Sequence, residues 1–426
     1  MESKEIVLPE KLLIHGGKKL NGTINVQGAK NSALPVIACA LLLRGETLTL
    51  DCVPHLYDIY TMKQLLESFG AQIDFNNNLM KIYVPEEISY NAPIDLVRKM
   101  RASSIALGPL TTRVGKCVLP LPGGCDLGDR PLDFHLKALT KMGAEVELSN
   151  GAIITSVKGR LKGANIRFDF PSVGATQNIM MAASLADGTT YIDNAAKEPE
   201  IVNLADTLRL MGADIKGDGT ETIRVIGTEK LHSAQNTIMP DRIEAITYLL
   251  AGVMTEGAVS VRGIDAKLFS AVLDKMTEAG VSIDIFKDEI TAKYVAPLKH
   301  TTIKTMPFPG FPTDAQPQFM AFLTKAKGIS IVEESIFNNR LNHIDDFNAM
   351  GADVRVSDNI AYITGVESLH GASVHSFNLR AGAAMIMMGL AAKGDTIVSD
   401  LKHVWRGYEN LVPKLRSLGA DLEFVE

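Results

Sequence analysis

A phrase repeated six times limits what this chain can fold into. A helical run ends in glycine, a small residue follows, and an alternating stretch comes next. It reads LLESFGAQI at Gly70, LTKMGAEV at Gly143, LRLMGADI at Gly212, MTEAGVSI at Gly280, FNAMGADV at Gly351 and LRSLGADL at Gly419. Successive glycines stand 73, 69, 68, 71 and 68 residues apart. Apolar residues at helical spacing that run into glycine mark a helix closed by a left-handed cap. The alternation after it marks a half-buried strand. The front half of each unit repeats as well, as a polar loop, a helix of small residues, a glycine and a β-rich stretch. The spacing predicts these helices at residues 32–43, 102–112, 175–186, 243–255, 315–326 and 381–392, with following strands that include 47–50, 189–192, 258–261, 330–332 and 396–398. Each unit therefore reads roughly β-α-β-α-β-β. Alanine, glycine and methionine dominate the first helices, as in Met180-Met181-Ala182-Ala183 and Ala383-Ala384-Met385-Ile386-Met387-Met388. That composition suits helices buried on all sides, with the methionines as core filling.

Six such units account for the 426 residues. A single core seldom grows past about 250–300 residues, so three repeats per domain gives two α/β (α+β) domains of ordinary size. Ligand sites favour the cleft between domains. The formal charge of −6 argues against general binding of nucleic acid or anionic membrane, so any anion site must be a local cluster of cations. The longest apolar runs, such as 38–43, fall far short of the ~20 residues that span a bilayer. The first residues show no basic segment leading into an apolar core, so neither a secretory leader nor membrane insertion is expected. Cys39, Cys52, Cys117 and Cys125 form no CxxC pair, which points to a reducing compartment. His55, His135, His343 and His403 are scattered and read as structural or exposed, and no phosphate-loop or dinucleotide fingerprint is present.

Chemistry-bearing residues collect at the loops entering the first helices. These contain Gln27-Gly28-Ala29-Lys30-Asn31, Lys99-Met100-Arg101, Ser172-Val173-Gly174, Pro240-Asp241-Arg242, Phe311-Pro312-Thr313-Asp314 and Asn378-Leu379-Arg380. Four of the six carry a cation at a helix N-terminus, where free N–H groups and the helix dipole already favour anions. Asp314, held between prolines and the helix start, suits a positioned base and equally a helix N-cap. The glycine- and proline-rich loop 121–131 carries Cys125 five residues before Arg130, a thiol beside a cation.

Several phrases resemble one family closely: GAKNSALP (28–35), MRASS (100–104), LPGGCDLGDRPLDFHLK (121–137), SVGATQNIMMAA (172–183), EPEIV (198–202), PDRIEA (240–245), FPTDAQ (311–316), LRAGAA (379–384) and RGYE (406–409). They look like the UDP-N-acetylglucosamine enolpyruvyl transferases, the MurA group, relatives of EPSP synthase, and the likeness covers essentially the whole chain. The resemblance implies two inside-out α/β barrels of three βαβαββ units each, with helices at the centre and the site in the interdomain cleft. Domain 1 is then 30–239, with the Cys125 loop as a lid, and domain 2 is 1–29 plus 240–426. The implied reaction moves the enolpyruvyl group of phosphoenolpyruvate to the 3′-hydroxyl of UDP-N-acetylglucosamine with release of phosphate. It is the first committed step of peptidoglycan precursor synthesis in the cytoplasm and the target of fosfomycin. By the same resemblance Cys125 is the proton donor and alkylated thiol, Asp314 the base, and Lys30 and Asn378 are catalytic. Lys30, Arg130 and Arg406 hold phosphoenolpyruvate. Asn31, Arg101, Arg130, Pro131, Leu132, Asp133, Ser172, Val173, Gly174, Asp314, Ile336 and Arg340 meet the UDP-sugar, and Arg380 supports them. No metal or organic cofactor is implied. The chain departs from the family pattern at Asn378 and Asn203, where Asp is usual, and at Lys197, where Arg is usual. A divergent relative with another acceptor or a weakly catalytic, regulatory role is the alternative these departures leave open.

Overall fold

The computed structural model describes residues 9–121 and 132–425. Its chain divides into two compact units. One takes the chain up to Gln27 and from Pro240 onward, and the other begins at Gly28 and ends at Met239, so the first crossing falls before Gly28 rather than at Lys30. Each unit has its own hydrophobic core.

In the Gly28–Met239 unit, the helices Lys30–Cys39, Leu107–Val114 and Val173–Ser184 are buried along almost their whole length. Three sheets surround them. One orders Ala234–Thr237, Glu46–Asp51, Leu79–Val84 and Gln72–Asn76, and another Asp214–Lys216, Thr222–Ile226, Thr189–Asp193 and Asn165–Arg167. The third has Lys116–Pro120, Ala152–Ser156 and Glu145–Ser149, with Asn91 bridging in parallel to Val118 where the others have a fourth strand. In the other unit, Arg242–Met254, Gln316–Leu323 and Leu379–Ala391 are the central helices, and all three touch one another. Three four-stranded sheets surround them.

Each four-stranded sheet contains one parallel pair at an edge and is otherwise antiparallel. In three of these sheets the parallel edge strand, Asn165–Arg167, Thr302–Lys304 or Ser373–His375, enters the buried helix that leads to its neighbour, the usual crossover unit. Closure is non-local. Ala234–Thr237, at the end of its unit, pairs with Glu46–Asp51 at the beginning. Lys11–His15 lies between Asp395–Ser399 and Asp421–Val425.

The second helix of each repeat is amphipathic. In Tyr57–Phe69 the residues Ile59, Met62, Leu65, Leu66 and Phe69 form the buried stripe. Each such side chain contributes about 1.5–3 kcal/mol when fully buried, and Leu65→Ala costs about 2–5 kcal/mol. All six repeat glycines take φ between +86° and +113°, the left-handed conformation that ends the helix without a Cβ clash.

Two helix starts differ from the sequence expectation. Residues 101–106 form a 3-10 segment before the α-helix Leu107–Val114, and Thr313–Ala315 forms another before Gln316–Leu323. In both, a proline (Pro109, Pro317) lies in the first α-helical turn. Proline lacks an N–H to donate and is best tolerated there, so the regular ladder starts late.

Candidate active site

In the unit that runs from Pro240 onward, Asp314 is gripped by two arginines. Arg340 Nη2 donates to Oδ1 at 2.9 Å and Arg380 Nη2 to Oδ2 at 3.0 Å. The side chains of Arg340 and Arg380 are 2% and 5% exposed, and that of Asp314 is 28% exposed. Asp314 is no helix cap: neither the 3-10 turn nor the helix after it has a side-chain cap, and its carboxylate is turned to the guanidiniums. Burial works against the charge of Arg380, yet Asp314 raises its pKa further above the ordinary arginine value. The guanidinium of Arg380 also lies 5.9 Å from the Tyr408 ring centroid, a cation–π contact.

The loop beside this triad is fixed by a carboxylate that the sequence did not single out. Buried Glu334 accepts from Thr305 Oγ1 (2.9 Å), Thr313 Oγ1 (3.0 Å), Ile336 N (2.9 Å) and Phe337 N (3.1 Å). It thereby ties Ile336 to the residue preceding Asp314, and Arg340 completes the tie by donating to Thr313 O at 3.1 Å. Asn378 caps the helix Leu379–Ala391: its Oδ1 accepts from Arg380 N (3.1 Å) and Ala381 N (3.0 Å). That use of the oxygen orients the amide and leaves Nδ2 buried without a partner among the described residues. Among these residues Nη1 of Arg380 and Nε of Arg340 are likewise buried donors without partners. Arg406 ends the 3-10 turn Leu401–Arg406 in the same unit.

In the Gly28–Met239 unit, Lys30 opens its helix and its Nζ lies 3.3 Å from Oδ2 of buried Asp58. Asn31 is exposed beside it. A second group surrounds His135. Asn178 Nδ2 donates to Ser104 O and to His135 Nδ1, both at 2.9 Å. Nδ1 is then an acceptor, which places the ring proton on Nε2. The ring faces Gly174, where an added Cβ would stand 3.5 Å from Cε1 and Nε2. Burial, and after it the charge of Arg101, lowers the His135 pKa to about 4, with Asp133 opposing. Arg101, Asp133, His135 and Gly174 thus meet at one place, together with the helix start where Ser172 caps Ala175 N at 3.3 Å and Val173 opens the turn. Leu132 precedes Asp133 at the edge of the described residues, and Asp133 Oδ2 takes the Lys137 ammonium at 3.2 Å. Cys125, Arg130 and Pro131 lie outside the described residues.

The sequence reading took His135 as structural or exposed, because a lone histidine on a helix carries no motif; it is buried. Its burial next to a glycine helix start becomes visible only in three dimensions. His343 is also buried, and burial together with the Arg340 charge lowers its pKa to about 3. The other two unusual positions, besides Asn378, are both in use. Asn203 accepts from Ser32 Oγ (2.6 Å) and Met239 N (3.2 Å) and donates to Thr237 O (3.1 Å), and an aspartate could not make the last bond. Lys197 pairs with Glu221 at 3.1 Å. Cys39 and Cys117 are buried; burial raises the pKa of the first and pushes the second up to about 12. Cys52 is exposed. Among the described residues no group of three or more His, Cys, Asp or Glu side chains is arranged to hold a metal ion, and no helix is long and apolar enough to cross a membrane.

Comparison with known proteins adds an independent constraint. The family model for EPSP synthase (3-phosphoshikimate 1-carboxyvinyltransferase) matches residues 14–415. A UDP-N-acetylglucosamine 1-carboxyvinyltransferase 2 of Carboxydothermus hydrogenoformans is 47% identical over 418 residues, covering 98% of this chain and 99% of its own. Enzymes named UDP-N-acetylglucosamine 1-carboxyvinyltransferase from Halalkalibacterium halodurans and Finegoldia magna are each 46% identical, again over 98% of this chain, with 94% and 99% of their own lengths covered. Among solved structures, the enolpyruvyl transferase NikO from Streptomyces tendae superposes with a TM-score of 0.89 at 25% identity over 98% of this chain and 99% of its own. An EPSP synthase from Acinetobacter baumannii shares the fold, with a TM-score of 0.74 at 19% identity over 97% of this chain and all of its own.

Proposed function

The chain belongs to the EPSP synthase family of carboxyvinyltransferases, and from that premise we propose that it transfers the enolpyruvyl group of phosphoenolpyruvate to the 3′-hydroxyl of UDP-N-acetylglucosamine. Phosphate is released, and the product feeds peptidoglycan synthesis in the cytoplasm. The near full-length identity to enzymes named for this reaction supports the choice of acceptor. It does not favour a divergent acceptor or a regulatory copy. The observation that carries the mechanism is the carboxylate of Asp314 held in place by Arg340 and Arg380.

The chemistry is addition followed by elimination. In the addition, the 3′-hydroxyl oxygen bonds to C2 of phosphoenolpyruvate while its proton passes to a base and C3 gains a proton from an acid. In the elimination, the C2–O bond to phosphate breaks and C3 returns a proton, leaving the enol ether and inorganic phosphate. Asp314 is the base in this reading, since it is partly exposed and fixed at both oxygens. Cys125 is the acid at C3. Lys30, Arg130 and Arg406 take the phosphate and carboxylate charges. Fixed cations of this kind usually supply the largest share of catalysis, because they need no reorganisation as charge develops. Asn31, Arg101, Pro131, Leu132, Asp133, Ile336 and Arg340 bind the UDP-sugar, together with the helix start at Ser172, Val173 and Gly174. Arg380 keeps Asp314 in place, and Asn378 caps the helix start from which Arg380 projects.

The test is phosphate release from phosphoenolpyruvate with and without UDP-N-acetylglucosamine. Release that depends on the UDP-sugar is expected; no release from purified protein sinks the reading.

A further inference from the structure

We propose that Gln27 is a positioning residue for Arg406, acting through the loop that follows it; the proposal rests on the role given to Arg406 above. Gln27 is the last residue of its unit before the chain crosses at Gly28. It is buried, and all four of its polar groups are engaged. Its backbone N–H donates to Glu244 Oε2 at 2.7 Å, and its carbonyl accepts from Asp241 N at 2.8 Å. Its side chain donates from Nε2 to Gly407 O at 3.0 Å and accepts at Oε1 from Glu409 N at 2.6 Å. The amide therefore pairs with the peptide groups on both sides of Tyr408, as a neighbouring strand would.

The loop needs such a partner. It is irregular, with Asn410 at φ +55°, so it forms no ladder of its own. Tyr408 is buried, so water is a poor substitute for the lost bonds. Gly407 is pressed against Leu379, which lies 2.6 Å from where a Cβ would be, so the loop has little room on that side. Beyond the amide, Tyr408 OH meets Thr247 Oγ1 at 2.8 Å, and Lys414 Nζ meets Glu244 Oε1 at 2.6 Å. Glu244 thus holds the backbone of Gln27 with one oxygen and the helix after the loop with the other. Gly407 is the next residue after Arg406, so a shift of its carbonyl moves the base of the Arg406 side chain. A displacement of about 1 Å at a substrate-holding group can cost up to about a hundredfold in rate.

Two measurements test this, and only one needs turnover. Trp405, the single tryptophan, neighbours Arg406 and donates from Nε1 to Pro9 O at 3.1 Å. Acrylamide quenching of its fluorescence in unliganded protein reports the loop directly. Gln27→Ala is expected to raise the quenching constant about twofold; Gln27→Met, of similar length but without the amide, does the same and replaces the alanine variant if that does not fold. In turnover, Gln27→Ala is expected to raise KM for phosphoenolpyruvate about tenfold, with KM for UDP-N-acetylglucosamine changed less than twofold. The rise is expected to vanish when the same change is made in an Arg406→Ala background. Unchanged quenching overturns the proposal, as does an equal rise in both backgrounds or an equal rise for both substrates. If the wild-type protein releases no phosphate, the functional reading fails while the quenching result still decides whether Gln27 fixes the loop.

Discussion

Asn378→Asp gives the sharpest perturbation of the Asp314 cluster. The amide oxygen of Asn378 is committed to two backbone N–H groups, so its Nδ2 is a buried donor with no acceptor among the described residues. A buried unsatisfied group of this kind costs about 1–3 kcal/mol. Aspartate keeps the cap and replaces the orphaned donor with an acceptor. It also places negative charge at a helix N-terminus, worth about 0.3–1 kcal/mol. Asp314, Arg340 and Arg380 together carry a formal charge of +1, and the new carboxylate brings the group to zero. Dehydrating that carboxylate offsets part of the gain, leaving a net stabilisation of about 1–2 kcal/mol. For a unit of this size that is a rise of roughly 3–6 °C in melting temperature, read from Trp405 fluorescence. A carboxylate oxygen, able to accept a proton, in the place of Nδ2 is expected to raise phosphate release by about tenfold or more, within the range of positioned acid–base groups. A variant that melts and turns over like the wild type refutes both the orphaned-donor argument and the catalytic role given to position 378.

Other outcomes follow from the same geometry. Asp314→Asn removes the charge that balances two buried guanidiniums: phosphate release is expected to fall about a hundredfold or more, and stability by about 1–3 kcal/mol, the partial exposure of Asp314 reducing the cost of a fully buried broken pair. Iodoacetamide on native protein should reach Cys52 and spare Cys39 and Cys117, mapped by peptide mass spectrometry; fosfomycin should modify Cys125 and none of these three, and fail on Cys125→Ser. Because the His135 pKa in the folded chain, about 4, lies below its unfolded value of about 6.5, the unfolded chain takes the proton first as pH falls. The stabilisation is complete above about pH 6.5 and is lost between there and pH 4, about 3 kcal/mol in all, which denaturant titrations of wild type and His135→Gln at pH 7.5 and 4.5 measure as a flatter profile for the variant. Gly28→Ala puts a Cβ 1.9 Å from the Cys52 carbonyl oxygen, and expression with far-UV dichroism should show loss of folded protein.

The repeat was legible because its markers are local. A glycine at a left-handed cap follows from the residues just before it, and all six such glycines take that conformation. The buried helices were legible from their alanine and methionine content, to within a few residues. Their starts were less so at Pro109 and Pro317, where the missing N–H delays the ladder. Asp314 was visible as a candidate but its role was not. A loop of prolines and an acid reads equally as a cap, and the arginines that decide the matter come from residues 340 and 380. Glu334 left no signal, and Gln27 and Glu244 stood in noted phrases without a role, since a buried acid or amide looks in sequence like any surface residue. Their weight comes from burial, which depends on strands closing across two hundred residues, as Ala234–Thr237 does on Glu46–Asp51.

Burial also explains why the chemistry sits at helix starts. A helix enclosed on every side has no solvent face, so a polar side chain along its length must be satisfied inside. Asn178 meets this demand through Ser104, Gly108 and His135, and Nε2 of Gln318 does so through Thr247 and Tyr408. The first turn is different, because its N–H groups have no intrahelical partners and its residues are still emerging from a loop. Charged groups can enter there. The two units use that freedom differently. One places Arg380 and Asn378 at a helix start and Asp314 in the turn leading into another, a charged assembly suited to proton transfer and phosphate. The other offers Ser172, Val173 and Gly174, with the neutral ring of His135 behind the glycine. A start without a charged side chain recognises a ligand through peptide N–H groups, and the missing Cβ lets that ligand approach closely. On this reading the Asp314 cluster serves proton transfer, Lys30 at a helix start of the other unit shares the anionic charge with Arg406, and the His135 group holds part of the UDP-sugar through peptide and side-chain hydrogen bonds.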